Sequence, residues 1–243
     1  MHTQVACFSL NTGGKEMFVT DNAKKQQLRY ILTLSLMAIA VCFFSPIGVF
    51  ASETEDIEIV VEYHQEMARP IADMINEYRT SGNAWYWNPD DTTKTECGYL
   101  SALEYDYDLE KAAMQRAAEI AVIYNHTRPD GSRCFTAYTE CGFNEWPGGE
   151  NIAAGQTSAK MVHEAWIEED DDYSGQGHRR NIFNANSTAI GIGCVYSNGT
   201  YFWVEEFAHS AQNLNETVVS ADPCTVTVRL FSDGIKGTGL KYD

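Results

Sequence analysis

The chain has 243 residues, is 44% hydrophobic, and carries 17 Lys and Arg against 34 Asp and Glu, a net charge of −17. That length and composition exclude a chain disordered throughout and allow one sizeable domain with appendages. The acidity argues against nucleic acid or an anionic membrane surface as partner and suits cations.

The first feature along the chain is a leader. Lys24, Lys25 and Arg29 precede the apolar run "YILTLSLMAIAVCFFSPIGVFA", which ends with Val49 and Ala51 at the small-residue spacing of a signal-peptidase site. The chain is therefore expected to be exported. Residues 31–50 are either removed as a signal peptide or kept as a membrane anchor, since about 20 apolar residues span a bilayer, and Pro46 and Gly48 favour cleavage. Residues 1–16 read as an extension ahead of a start at Met17. Residues 1–51 hold four of the 17 basic and two of the 34 acidic residues, so the exported part keeps 13 against 32, a net charge of about −19. It also keeps Cys97, Cys134, Cys141, Cys194 and Cys224 in an oxidising compartment. Five is odd, so at least one is free or paired elsewhere. The expected bridges are Cys134–Cys141 and Cys194–Cys224, although spacing alone does not fix connectivity.

In the exported part, Val60, Met67, Ile71, Met74, Ile75 and Tyr78 recur at helical spacing, with Pro70 kinking that helix or opening its second half. Residues 80–98 are turn-rich and read as a long loop. A second helix is predicted over 109–124, where Leu109, Ala113, Ala117, Ile120 and Tyr124 form a stripe and Asp106 or Asp108 caps the start. Residues 125–154 are irregular, with turns at Pro129-Asp130-Gly131 and Pro147-Gly148-Gly149, and so long an aperiodic stretch is commonly functional. A third helix, capped by Thr157 or Ser158, runs through "AKMVHEAWIEE". It places Val162, Ala165, Trp166 and Glu169 on one face and turns Glu168 elsewhere. "AIGIGCVYSNGTYFWVEEFA" predicts a β-hairpin turning on Asn198-Gly199. "CTVTVRLF" predicts a further strand, and "SDGIKGTGLKYD" reads as a loose end. The expected organisation is residues 1–51 as extension and leader, 52–215 as the domain, and 216–243 as a tail with one strand.

Several residues invite a chemical reading. His178 lies between Gly177 and Arg179-Arg180, a setting for a neutral imidazole that accepts a proton or ligates a metal. His126, between a helix and a turn, either serves a site or caps that helix's last carbonyls. Glu150, after two glycines, either joins a site or bonds its own loop. Glu169, on an apolar face, needs a partner. The run "EEDDD" over 168–172 reads as a solvated loop. Asp170, Asp172, Ser174 and Gly175 fit half of a calcium loop, but Asn181 stands where the closing glutamate belongs, so calcium is not expected. His163-Glu164 does not open a zinc-protease motif, because Ile167 occupies the position of the second histidine. No glycine-flanked nucleophilic serine is present. Trp85 and Trp87 either contact a ligand or pack beneath their loop.

Taken in order, helix, helix, "HTRPDG", "GGENIAAG", a helix ending in "W..E", "GHRRNI" and "IGIG" before an aromatic strand, the chain resembles the CAP superfamily, or SCP domain, over roughly residues 65–210. This superfamily includes cysteine-rich secretory proteins, antigen 5 and plant pathogenesis-related proteins. "HTRPDG" and "GHRRNI" resemble its bacterial branch. The resemblance implies an α+β fold, a three-layer α-β-α sandwich with a small antiparallel sheet between helices and an open cleft at one side. It carries the family's cleft residues onto His126, Glu150, Glu169 and His178. The cysteines and the acidic insert before His178 depart from the family's pattern.

Were a metal held there, His126 and His178 would supply neutral nitrogens to an open zinc site, with Glu150 and Glu169 orienting the rings or ligating directly. The functions the resemblance leaves in view are a secreted binding module for an extracellular peptide, glycan or lipid, a hydrolase using Ser174 or a metal-bound water, and a structural surface protein. The binding module is favoured, because spacing names no nucleophile and base together. A membrane enters only through an uncleaved leader.

Overall fold

A computed structural model describes residues 54–231, so the leader, its cleavage or retention, and the end after Phe231 lie outside the described residues. The architecture is α+β in three layers, as expected. The central sheet runs β5 (Pro147–Ala154), β7 (Thr200–Ala208), β6 (Ala189–Ser197), β1 (Thr54–Tyr63) and β8 (Cys224–Phe231), all antiparallel. The short β4 (Glu104–Tyr105) joins the start of β6 in parallel.

One face of the sheet carries α3 (Tyr107–Val122), capped by Asp106, whose carboxylate accepts the N–H of Asp108 and Leu109. The alternation in "AIGIGCV" explains how close this helix lies. Ile190, Ile192 and Cys194 point to one core, whereas Gly191 and Gly193 point at α3. A Cβ on Gly193 would sit 2.4 Å from the Ala113 backbone, and one on Gly191 would sit 2.3 Å from that of Leu109. The helix answers with Ala113 and Ala117, both fully buried. On the other face lie α1 (Gln65–Ala68), α2 (Pro70–Thr80), α5 (Ala159–Ile167) and α6 (Gly177–Ile182), whose Ile71, Ile75, Trp166 and Ile182 pack against Ile192 and Trp203. Ser158 caps α5, and Asn198-Gly199 turn the β6–β7 hairpin with positive φ at both residues.

Three predicted elements differ, the first being residues 125–154, read as irregular, which hold a short helix over Thr136–Glu140 and the edge strand β5. Val60 does not belong to a helix: it lies in β1, where Ile57, Ile59, Val61 and Tyr63 alternate with exposed or edge positions, and Pro70 opens α2 as its first residue. Residues 80–98 are not a loop throughout, because β2 (Ala84–Trp87) and β3 (Lys94–Gly98) form a separate antiparallel hairpin. The expected strand over "CTVTVRLF" is present as β8, zipped to β1 over eight residue pairs. Its last residue seats on the "RPDG" turn: the Phe231 N–H donates to Pro129 O, and its ring fills the space a Cβ on Gly131 would need.

The structure forms neither expected disulfide, and all five described cysteines are free thiols. Cys194 faces the core from β6, while exposed Cys224 lies on β8 with β1 between them, so the two strand spacings alone keep them at least about 10 Å apart, beyond the reach of a bridge. Cys134 and Cys141 flank the short helix α4 (Thr136–Glu140), about 10 Å apart along its axis. The Cys141 thiol donates instead to Gln115 Oε1.

The sheet also buries two adjacent carboxyls. Along β7, Glu205 faces the α6 side, where Asn151 Nδ2 donates to it at 2.9 Å, and Glu206 faces the α3 side, where the Tyr138 hydroxyl donates at 2.9 Å. Burial pushes Glu205 up to about 8 and Glu206 well above the carboxylate range, so both hold protons near neutrality. The unfolded chain would release them near 4.5. Stability from these groups is therefore fully present below that pH and is lost as pH rises towards 8, by about 1.4 kcal/mol per pH unit for each proton the unfolded chain has released. Half-buried His163, pushed down by desolvation, acts in the opposite sense on the acid side. Urea unfolding is expected to show greater stability near pH 6 than near pH 8, with a shallower slope in Glu205→Gln. A wild-type stability that stays level or rises over that interval would contradict it.

Candidate functional site

The site begins with a buried charge. Arg116, on α3, has no solvent exposure, and a guanidinium so placed must be paired. Its Nε donates to Glu150 Oε2 at 2.7 Å, its Nη1 to Glu119 Oε2 at 2.7 Å, and its Nη2 to the Asn125 carbonyl at 2.8 Å. The last bond fixes the loop that follows α3. Arg128 fixes the same loop from its far side, bonded to Glu119 and Glu140. Between these anchors stands His126, 57% exposed, its Nδ1 2.7 Å from Glu150 Oε1.

Glu150 is held from three directions. Burial alone would raise it, but bonds from His126 and Arg116 keep it below the ordinary carboxylate range. Across the β5–β7 ladder it faces Glu206. The repulsion between the two is relieved because Glu206 keeps its proton. The glycine before Glu150 has a packing role: a Cβ on Gly149 would lie 2.7 Å from Asn181, whose Nδ2 donates to Glu150 O and to Asn151 Oδ1. Asn151 Nδ2 in turn reaches Glu205 and the His178 carbonyl. Through these two asparagines the strand of Glu150 is fastened to the helix of His178.

His178 has its own carboxylate, which is Glu168. Helix α5 ends at Ile167, and Glu168 takes a left-handed conformation, φ 50°, so its side chain turns back from the direction that helical periodicity assigns. Its Oε1 pairs with His178 Nδ1, and its Oε2 accepts the backbone N–H of His178 at 3.0 Å and of Arg179 at 3.2 Å. Glu169 lies beyond the helix, exposed, where it accepts a bond from the Tyr78 hydroxyl at 2.9 Å. Of the four residues singled out in the sequence, the structure thus joins His126 to Glu150 and gives His178 a carboxylate one position earlier than expected. The signal was Glu168 beside Glu169; what hid it was where the helix stops.

The two arginines after His178 turn away from it. Arg179 is buried, donates to Trp85 O and Ile167 O, and stacks on Trp85 at 4.2 Å and Phe183 at 4.7 Å. Trp85 and Trp87 therefore pack, and Lys94 lies 3.3 Å over the Trp85 ring. Arg180 donates to Tyr173 O. Ser174 donates to Asp172, which also accepts the Gly175 N–H, so that carboxylate serves its own turn.

With Nδ1 of both histidines engaged by a carboxylate, each ring holds its proton at Nδ1 and presents Nε2 as acceptor or ligand. Neither Nε2 has a hydrogen-bond partner among the described residues, and no hydroxyl or thiol there bonds to either ring. Nor do those residues include a group of three or more His, Cys, Asp or Glu placed to hold a metal ion. Two nitrogens fall short of the three protein ligands of a catalytic zinc.

The model of the cysteine-rich secretory protein family (CAP) matches residues 72–207. The uncharacterized protein YkwD of Bacillus subtilis (strain 168) is 32% identical over 110 residues, 44% of this chain; the match spans 40% of that relative's length. Among solved structures, an extracellular protein containing an SCP domain from Bacillus anthracis str. Ames is similar over 60% of this chain and 41% of its own, with 20% identity and a TM-score of 0.46. An outer surface protein of Borrelia burgdorferi is similar over 58% of this chain and 90% of its own, with 21% identity and a TM-score of 0.43. Because the family model spans more than half of it, the chain belongs to the cysteine-rich secretory protein (CAP) family.

Proposed function

We propose that the protein works outside the cytoplasm as a binding module whose ligand is received by the imidazoles of His126 and His178. The leader before residue 52 supports the location. The observation that carries the binding role is that both rings are fixed at Nδ1 by buried carboxylates and present a free Nε2, with no nucleophile bonded to either. In a hydrolase of the serine type the hydroxyl would bond the ring. Here Ser174, the candidate for that part, donates to Asp172 instead. The ligand class is an extracellular molecule with hydrogen-bond donors, a peptide or glycan.

Hydrolysis is the competing reading, and a broad peptide library incubated with residues 52–243 separates the two. No cleavage dependent on His178 is expected. Cleavage abolished by His178→Ala and unaffected by Ser174→Ala would replace the binding role with metal-water hydrolysis.

Zinc, if it binds, rests on the two Nε2 atoms. A set of two imidazoles supports only weak, exchangeable binding that declines as acid protonates the nitrogens. In calorimetric titration the His126→Ala, His178→Ala double variant should lose the heat that the parent protein shows at neutral pH. Equal affinity in both proteins would put the metal elsewhere.

A further inference from the structure

A second concavity, separate from the histidines, lies where the β2–β3 hairpin meets the end of α6. It encloses about 350 Å3, within the range of small-molecule sites, and its walls include Tyr86, Cys97, Leu100, Arg180, Phe183 and Asn184. Among the described residues no Asp or Glu lines it, in a chain that has 34 of them. Glu96, the strand neighbour of Cys97, is exposed and alternates to the opposite face of the hairpin.

Three of the polar side chains at this cavity keep hydrogen-bond donors to spare. Arg180 uses one nitrogen on Tyr173 O, stacks on the Tyr173 ring at 4.2 Å, and has no carboxylate partner among the described residues. Asn184 spends its oxygen on the Asn186 N–H, which leaves its amide N–H groups to donate. The Tyr86 hydroxyl has no partner among the described residues. Leu100 and the buried Phe183 supply apolar surface to the same cavity. A guanidinium recognises a planar carboxylate through paired N–H bonds. A single cation balances one negative charge and not the two of a phosphate, which the acidic remainder would repel.

We propose that this cavity binds a monoanion built as a carboxylate on an apolar body, with Arg180 and Asn184 holding the carboxylate and Leu100 and Phe183 covering the rest. The site is independent of the histidine reading. His178 and Arg180 lie two residues apart on α6, about 200° around the helix, so their side chains serve different surfaces.

The probes are N-acetyl-L-phenylalanine, which resembles a peptide C-terminus, 3-phenylpropionate, a free acid, and N-acetyl-L-phenylalanine amide, which lacks the charge. Each is titrated into the full chain and followed by ligand-detected NMR. The acids are expected to bind with Kd on the order of 1 mM and the amide at least about tenfold more weakly. A preference for the acetylated acid over phenylpropionate assigns the site to peptide C-termini; equal binding assigns it to free acids. Arg180→Gln, checked for an unchanged melting temperature, should abolish the difference between acid and amide, and Arg180→Lys should keep part of it. Cys97, in the cavity wall, gives a second readout: N-acetyl-L-phenylalanine should slow its alkylation at mildly alkaline pH in the parent protein and not in Arg180→Gln. Equal binding of acid and amide by the parent protein, or no binding of any probe, overturns the proposal without recourse to a variant.

Discussion

A guanidinium removed from water needs an acceptor for nearly every N–H it carries, and Arg116 finds them in three separate segments: Glu119 on its own helix, Asn125 in the following loop, and Glu150 on the edge strand β5. Each acceptor is thereby fixed relative to the others. The loop that carries His126 is drawn to the strand that carries its carboxylate, and the pair then forms at 2.7 Å. Substituting Arg116 would leave Glu119 and Glu150 buried with too few partners, so its effect would spread well beyond one contact. Glu206, kept protonated by burial and by Glu150, belongs to the same unit, because an ionised carboxylate opposite Glu150 would undo the arrangement.

The His178 side is built by another buried guanidinium with different chemistry. Arg179 is surrounded by aromatic faces and backbone carbonyls, with no carboxylate among its partners. It ties the β2–β3 hairpin and the end of α5 to α6. Gln176 completes the joint: buried, it accepts from the Trp87 N–H and donates to Glu168 O. Glu168 is consequently held at both its backbone and its carboxylate, which fixes His178 against it. The two asparagines at 151 and 181 couple this half to the Arg116 half. Rigid histidines with open Nε2 atoms follow from polar groups that lie behind them.

What the sequence made legible were the features set by local physics. The α3 stripe from Leu109 to Ile120 with its Asp106 cap, the Ser158 cap and the Asn-Gly hairpin each rest on a few neighbouring residues and are found where they were expected. Tyr124, counted into the stripe, lies beyond the helix and is exposed. The family motifs pointed to His126, Glu150, Glu169 and His178, of which the structure joins His126 to Glu150. Legibility failed where a neighbour distant in sequence decides. Glu169 was given by the family's W..E motif and by extending helical spacing past Ile167, where the helix has already ended. β1 was hidden because Val60 could be counted into a helix, although the alternation of Ile57, Ile59, Val61 and Tyr63 was a usable strand signal. The arginines beside His178 were read as its electrostatic environment, yet their side chains leave for aromatic and carbonyl partners. The Cys194–Cys224 bridge foundered on sheet order, which puts β1 between the two strands, and the Cys134–Cys141 bridge on the short helix α4 between them.

The claim on which this account turns is that Glu150 and Glu168 fix the two imidazoles from behind, so that Nε2 of each is the functional atom. Nitrogen-15 NMR of the histidine side chains reads it directly, since the two ring nitrogens differ sharply in chemical shift according to which bears the proton. For neutral His126 and His178 the account predicts a protonated Nδ1 and a bare Nε2, with His178 losing that preference in Glu168→Gln and keeping it in Glu169→Gln. A proton on Nε2 of either ring in the parent protein, or a response to Glu169→Gln instead of Glu168→Gln, would contradict it.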